Sequence, residues 1–194
     1  MSLLFETIKV KDGCFLNLPL HMQRMNYSRK MLLHSKNPIP LENMLTIPDN
    51  FQYGIYKCKV EYDFFIHSIS FSAYNPKNIK TLQLVHADSI MYNYKFSDRS
   101  LLEDLKNKAN ADEIIIVKNG LITDTSFSNI IFYDGEKWIT PSTPLLEGTM
   151  RKKLLQEKKI VKRKIQLNDL KNFRKIKLIN AMRDMDDEDV LINC

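Results

Sequence analysis

Alternating apolar and polar positions run through most of the chain and predict a sheet-rich fold. The opening segment LFETIKV-KDG-CFLNL alternates around a turn at residues 11–13, which is typical of a β-hairpin. Pro19–Ser35 instead carries apolar residues at helical spacing and predicts a helix. Three runs rich in β-branched and aromatic residues predict, with the hairpin, an antiparallel sheet in the first half: Tyr53–Tyr62, Phe64–Ala73 and Thr81–His86.

The alternation breaks between Ala87 and Arg99 and resumes in the second half. A helix capped by Asp98 or Ser100 is expected to run to about Ala109. The strands expected after it are Glu113–Lys118, Leu121–Thr123, Ile130–Tyr133, Trp138–Thr140, Ile160–Ile165 and Lys177–Ala181, with a helix from Gly148 to about Lys158. We therefore predict an α+β fold with two sheet-rich lobes: residues 1–87, a crossing segment at 88–99, and a larger lobe at 100–194.

Composition excludes several classes of protein. The chain has 194 residues, of which 44% are hydrophobic and 27% charged, as in ordinary globular domains. It contains no apolar run long enough for a membrane helix and no signal-peptide pattern at its start, so we expect a cytoplasmic protein without a membrane partner. The three cysteines and four histidines lack the spacing of a disulfide framework or a metal site, and no metal is expected.

The net charge of +6 comes partly from a lysine-rich block at residues 152–164. Such a block is either a solvated face or a nucleic-acid patch. It lacks interleaved aromatic residues and any RNA-binding signature, so we favour the solvated face and expect no nucleic-acid partner. The positive field could still attract a small anionic substrate or a phosphorylated cofactor.

Four segments in a fixed order carry the candidate chemistry. They are HMQRM with Arg24, MYNYKFSDR with Lys95, ITDTSFSNIIFYDGEKWITP with Asp124, and LLEGTMR with Gly148 and Thr149. In this order they resemble the class IV, fold-type IV family of enzymes that depend on pyridoxal 5′-phosphate (PLP). That family includes D-amino-acid and branched-chain aminotransferases and 4-amino-4-deoxychorismate lyase. The resemblance covers nearly the whole chain, and the SNxxF…DG…TP…LxG stretch is its most specific part.

The resemblance implies a D-amino-acid aminotransferase-like fold, a cofactor cleft between the lobes and a homodimer. It makes Lys95 the catalytic lysine that bonds PLP; in isolation, Lys95 would be an ordinary surface lysine. A lysine in an apolar setting loses its proton more easily, and aromatic residues surround Lys95 in the sequence.

A carboxylate beside the pyridine nitrogen of PLP keeps that nitrogen protonated. The family uses glutamate, and the matching residue here is Asp124, which in isolation would equally be a turn former. For the phosphate, the resemblance implies Arg24 and the backbone of Gly148, Thr149 and Met150 at a helix N-terminus. The threonine is displaced by one position from the family pattern, and Arg24 could also be a solvated helix residue.

The remaining candidates have less defined roles. Ser126 donates to the cofactor or satisfies its own loop. Arg99 reaches a substrate carboxylate or pairs with Asp98. Asn180, in a segment similar to one near the end of aminodeoxychorismate lyases, is a candidate substrate residue, followed by Ala181 where a hydroxyl residue would help to bind phosphate.

Within the family we favour 4-amino-4-deoxychorismate lyase, which forms 4-aminobenzoate and pyruvate on the folate route. A branched-chain or D-amino-acid aminotransferase is the alternative. A third hypothesis is a shortened, non-catalytic relative that binds a partner. It is motivated by aspartate in place of glutamate and by the displaced threonine. It is motivated also by the position of FET almost at the start of the chain, since family members carry a first hairpin before this motif.

Overall fold

The computed structural model describes residues 3–186 and contains three helices and three sheets. The helices are α1 (Leu18–Leu33), α2 (Ser100–Asn107) and α3 (Thr149–Gln156), with short 3₁₀ helices at Leu41–Asn43, Asp49–Phe51 and Leu167–Asn172. The strands are β1 (Leu4–Lys11), β2 (Cys14–Phe15), β3 (Ile55–Tyr62), β4 (Ile66–Ala73), β5 (Leu82–His86), β6 (Glu113–Lys118), β7 (Leu121–Ile122), β8 (Asn129–Tyr133), β9 (Trp138–Pro141), β10 (Ile160–Arg163) and β11 (Lys175–Ile179). The predicted α+β class with several sheets is confirmed.

The first sheet is antiparallel, with strand order β2-β1-β3-β4. Asp12 and Gly13 have φ angles of 46° and 74°, which a tight hairpin turn between β1 and β2 requires. Alternate residues of β1 and β3 point to one side of the sheet and form an apolar cluster with α1, which includes Ile8, Met25 and Val60. The predicted hairpin and the first predicted helix are therefore present.

The run predicted at Thr81–His86 does not join this antiparallel sheet, and that part of the prediction is wrong. As β5, it pairs in parallel with β6 in a separate sheet of order β5-β6-β7. The connection from β5 to β6 contains α2, and parallel neighbours need a long crossover of this kind. Strand propensity alone does not distinguish the two pairings.

A third sheet has the order β10-β9-β8-β11, in which only β9 and β10 run in parallel. Helix α3 connects these two strands and packs its apolar side chains on the sheet, through Met150 and Leu154. Arg99, rather than the predicted Asp98 or Ser100, occupies the N-cap position of α2 and makes no side-chain capping bond there.

The chain divides into two compact units. Within the described residues, the first contains the chain up to Pro76 together with Tyr94–Asp98, and the second contains Lys77–Asn93 and the chain from Arg99 onward. Residues 77–87, predicted in the first lobe, thus belong to the second unit. Between residues 3 and 186, no helix has the length and hydropathy needed to span a membrane.

Ile115 tests the packing of the second unit, because it lies fully buried in the middle of β6. We expect Ile115→Ala to lower the free energy of unfolding by about 2–5 kcal/mol, through lost burial and a cavity. The matched control is Val161→Ala on β10, where the side chain is 41% exposed and the cost should stay near zero. Urea unfolding measures both, and equal effects would contradict this description of the core.

Candidate active site

Lys95 lies in the first unit, on a short segment that pairs with the start of β1. The Phe5 N–H donates to the Lys95 carbonyl at 2.9 Å, and Leu4 forms a bridge with Phe96. The Lys95 Nζ lies 4.3 Å from the centroid of the Phe5 ring. Backbone pairing therefore fixes the position of this lysine, and its ammonium group contacts an aromatic face.

A buried hydrogen-bond network around Glu6 lies in the same unit. Glu6 is fully buried and accepts hydrogen bonds from His21 Nδ1 at 2.6 Å and from Arg24 Nε at 2.9 Å. Burial raises the pKa of Glu6, but the Arg24 charge and the hydrogen bonds from His21 and Arg24 outweigh burial and lower it to about 2. Burial lowers the pKa of His21 despite its hydrogen bond to Glu6, which favours the neutral imidazole.

Arg24 is thereby held in one orientation. Its Nε and Nη2 both donate to the Glu6 carboxylate, which uses two of the five N–H donors of the guanidinium. Binding of phosphate by Arg24 stays a prediction. The sequence analysis missed Glu6 and His21, although Glu6 carried a signal, since it shares the apolar side of β1 with Leu4 and Ile8.

Asp124, in the second unit, opens a polar turn at residues 124–129 between β7 and β8. Its Oδ1 accepts a hydrogen bond from Asn129 Nδ2 at 2.7 Å, and its Oδ2 accepts one from the Leu146 N–H at 2.9 Å. Burial raises the pKa of Asp124 to about 6, which the two hydrogen bonds and the charge of Arg151 offset only in part. The protein thus holds a buried carboxylate whose burial is only partly offset and that a nearby cation would stabilise.

Gly148 is packed against the same network. A Cβ atom at this position would lie 1.9 Å from Asn129 Oδ1, so only glycine fits while Asn129 keeps its bonds to Asp124 and to the Leu146 carbonyl. Gly148 is also the N-cap of α3, whose first residue is Thr149. The predicted helix start is confirmed, and it places a helix N-terminus, whose free N–H groups are suited to an anion, next to Asp124 and its partners.

Met150 can serve the predicted cofactor role only through its backbone. Its side chain is 4% exposed and packs in an apolar cluster with Ile131, Leu154 and Ile179. Thr149 is buried as well, on the first turn of α3.

Ser126 is held from both sides within the polar turn. Its N–H and hydroxyl donate to the buried Glu113 carboxylate at 3.1 and 2.9 Å, and its carbonyl accepts a bond from Arg99 Nη2 at 2.7 Å. The Ser126 hydroxyl is thus bonded to β6, and Arg99 contacts the backbone of the polar turn. A cofactor role for Ser126 and a substrate role for Arg99 stay predictions. The sequence analysis missed Glu113, although an acidic residue at the start of an apolar strand was a signal that could have indicated it.

Asn180 is joined to the polar turn through Ser128. The Asn180 Nδ2 donates to Ser128 Oγ at 2.8 Å, while its Oδ1 accepts from the Met182 and Arg183 N–H groups and closes a turn after β11. A substrate role for Asn180 stays a prediction. No cluster of three or more His, Cys, Asp or Glu side chains suited to a metal ion occurs among residues 3–186.

Comparison with known proteins identifies the family. The profile described as Amino-transferase class IV matches residues 46–185, a range that contains Lys95, Asp124 and Gly148. The chain belongs to the class IV aminotransferase family. Members of this family depend on PLP and act as lyases or aminotransferases.

Relatives cover nearly the full length of this class IV chain. A Haemophilus influenzae protein named "Uncharacterized protein" is 42% identical over 183 residues, which is 92% of this chain and 97% of the relative. A Schizosaccharomyces pombe protein named "Putative aminodeoxychorismate lyase" is 28% identical over 201 residues, with 94% and 87% covered.

Solved structures of class IV proteins share the fold. A structure from Haemophilus somnus 129pt, described as a "putative 4-amino-4-deoxychorismate lyase", has a TM-score of 0.87 at 37% identity and covers 95% of this chain and 98% of its own. The PLP-bound form of a hypothetical aminotransferase from Mycobacterium tuberculosis has a TM-score of 0.75 at 16% identity, with 93% and 78% covered, and shows the fold alone.

The residues of this class IV chain fit the demands of PLP. The buried Asp124 carboxylate, with its pKa raised to about 6, is suited to a protonated ring nitrogen. The Gly148–Thr149 helix start is suited to a phosphate. Lys95 offers an amine on a backbone-fixed segment.

The contact between Gly148 and Asn129 yields a double-mutant test. We expect Gly148→Ala to lower the free energy of unfolding by about 1–3 kcal/mol, because Asn129 must give up buried hydrogen bonds. In an Asn129→Ala background the same substitution should cost much less, since the clashing oxygen is gone. Urea unfolding of the four proteins measures the coupling, and equal costs in both backgrounds would rule the contact out.

Asp124 predicts a pH dependence of stability. Its folded pKa of about 6 lies above the unfolded value of 3.8, so its contribution to stability is complete below pH 3.8 and is lost as pH rises through about 6. Relative to Asp124→Asn, the unchanged protein should lose about 2 kcal/mol between pH 4 and pH 7. Urea unfolding along this pH range measures the difference, and a flat difference would contradict the raised pKa.

Proposed function

We propose that this chain is a PLP-dependent enzyme that converts 4-amino-4-deoxychorismate into 4-aminobenzoate and pyruvate. The observation that carries the proposal is the buried Asp124–Asn129 pair packed against the Gly148 helix start. It occurs in a chain 37% identical to the Haemophilus somnus protein described above. A homodimer in the cytoplasm and a role on the folate route are parts of the same proposal.

Each residue has a defined task in this proposal. PLP, when bound, supplies a ring that withdraws electrons from the bonds around the carbon that carries the substrate amine. Asp124, ionised above its pKa of about 6, holds a proton at the ring nitrogen. Asn129 and the Leu146 N–H hold both oxygens of Asp124 and so fix the direction of the carboxylate.

The phosphate is assigned to two positively polarised groups. Arg24 presents a guanidinium that Glu6 has already oriented, which lowers the entropy lost on binding an anion. The N–H groups of the first turn of α3, after Gly148, add backbone donors and the helix dipole.

Lys95 is assigned the proton transfers. The lyase reaction removes one proton from the carbon that carries the amine and delivers one to the departing three-carbon fragment, which leaves as pyruvate. A neutral lysine amine can take up the first proton and return it as an ammonium ion. One well-placed lysine can serve both steps. The backbone of Lys95 is held in place because the Phe5 N–H donates to the Lys95 carbonyl.

The experiment that tests the proposal follows pyruvate release from 4-amino-4-deoxychorismate with PLP and no added amino acceptor. We expect pyruvate and 4-aminobenzoate in equal amounts, and loss of activity by about a hundredfold or more in Lys95→Ala. The matched control is Lys36→Ala, an exposed lysine in a loop of the same unit, which should retain full activity.

Other outcomes point to the alternatives. Turnover only after a keto acid is added would identify an aminotransferase for branched-chain or D-amino acids. The unchanged protein should acquire a PLP absorption band, and borohydride reduction should leave the cofactor covalently attached to Lys95. Failure of either would favour a non-catalytic binding protein and overturn the proposal.

A further inference from the structure

One side of the first sheet is strongly basic. Because side chains alternate along a strand, residues opposite to the apolar cluster share one surface. This surface, which we term the lysine face, is formed by Phe5, Thr7 and Lys9 of β1, by Lys57, Lys59 and Glu61 of β3, and by Ser68, Ser70 and Ser72 of β4.

The strand register brings like charges together on this face. Lys9 and Lys57 are direct antiparallel partners, and Lys59 is the next residue on the same side of β3. Like charges directly opposite each other destabilise a sheet. Among the nine residues of the lysine face, Glu61 is the one carboxylate, and it accepts hydrogen bonds from Lys59 at 2.8 Å and Ser68 at 3.0 Å. The face therefore keeps a net positive charge.

Lys95 is close to the lysine face. Its Nζ lies 4.3 Å from the centroid of the Phe5 ring, and the Lys59 Nζ lies 5.4 Å from the same centroid. Lys57 precedes Lys59 by two residues on β3, which is a spacing of about 7 Å along the strand. Because Phe5 is opposite Glu61 in the register, Lys59 and then Lys57 extend the basic surface along β3 away from the Phe5 ring. A substrate whose amine is held at Lys95 and whose anionic group extends along β3 would therefore approach Lys59 first and Lys57 next.

We propose that the lysine face binds an amino substrate with two carboxylates, and that Lys57 is the residue that selects for the second one. The identity of that substrate rests on the function proposed above. The argument for Lys57 rests on charge complementarity: within residues 3–186 its ammonium group takes part in no ion pair, and its neighbours Lys9 and Lys59 add to the positive field. The serine and threonine hydroxyls beside the lysines can donate to the same carboxylate.

Lysine suits this task because its ammonium is a compact charge on a flexible stem. All three lysines of the face are partly buried rather than fully exposed. Partial burial weakens screening by salt, so a carboxylate placed between them gains more than at an open surface.

The test is calorimetric titration of the full-length protein with chorismate. Chorismate has the same two carboxylates as the proposed substrate and a hydroxyl in place of the amine, so its binding needs no PLP chemistry. We expect Lys57→Gln to weaken binding by about tenfold or more and Lys57→Arg to retain most of it. Lys36→Gln is the matched control and should bind like the unchanged protein.

The outcomes separate this inference from the proposed function. Equal affinity of Lys57→Gln and the unchanged protein for chorismate, or no binding by either, would overturn the role of the lysine face. Weakened chorismate binding in Lys57→Gln without any pyruvate release by the unchanged protein would support the face and reject the lyase. With lyase activity present, Lys57→Gln should raise KM for 4-amino-4-deoxychorismate and leave kcat nearly unchanged.

Discussion

The hydrogen bond from Asn129 to Asp124 is the interaction on which the second unit's candidate site depends. Asn129 opens β8 and also donates to the Leu146 carbonyl, so one amide connects the polar turn, the loop before α3 and the buried carboxylate. Gly148 must lack a side chain because the Asn129 oxygen occupies that space. Moving any one of these groups would shift the start of α3 relative to Asp124.

The same turn is fixed again from its other side. Glu113 accepts both polar hydrogens of Ser126, and Arg99 donates to the carbonyl of Ser126. Buried polar groups with all partners present make a rigid element, whereas a half-satisfied network would be costly. The turn is therefore held by charged groups on β6 and at the start of α2, and these determine where Asp124 can lie.

In the first unit, β1 has a different chemistry on each of its two sides. One side carries Leu4 and Ile8 together with Glu6, whose burial is tolerated because Arg24 and His21 bond to its carboxylate. The other side carries Phe5, which contacts Lys95. A single strand thus orients an arginine through one face and a lysine through the other. This is the physical basis for assigning Arg24 to phosphate and Lys95 to proton transfer.

The sequence by itself determined the element types, a hairpin in each half of the chain, the helix start at Gly148 and the family. These follow from hydrophobic period, turn residues and motif order, which are local properties of the chain. Only the tertiary structure decided that β5 pairs with β6, that Glu6 and Glu113 are buried hydrogen-bond hubs, and that Phe5 is the aromatic ring at Lys95. These features join residues far apart in the chain. The alternation along β1 and the apolar run of β6 hinted that Glu6 and Glu113 are buried, but strand pairing and the partners of a buried group depend on which distant surfaces meet, and no local pattern contains that information.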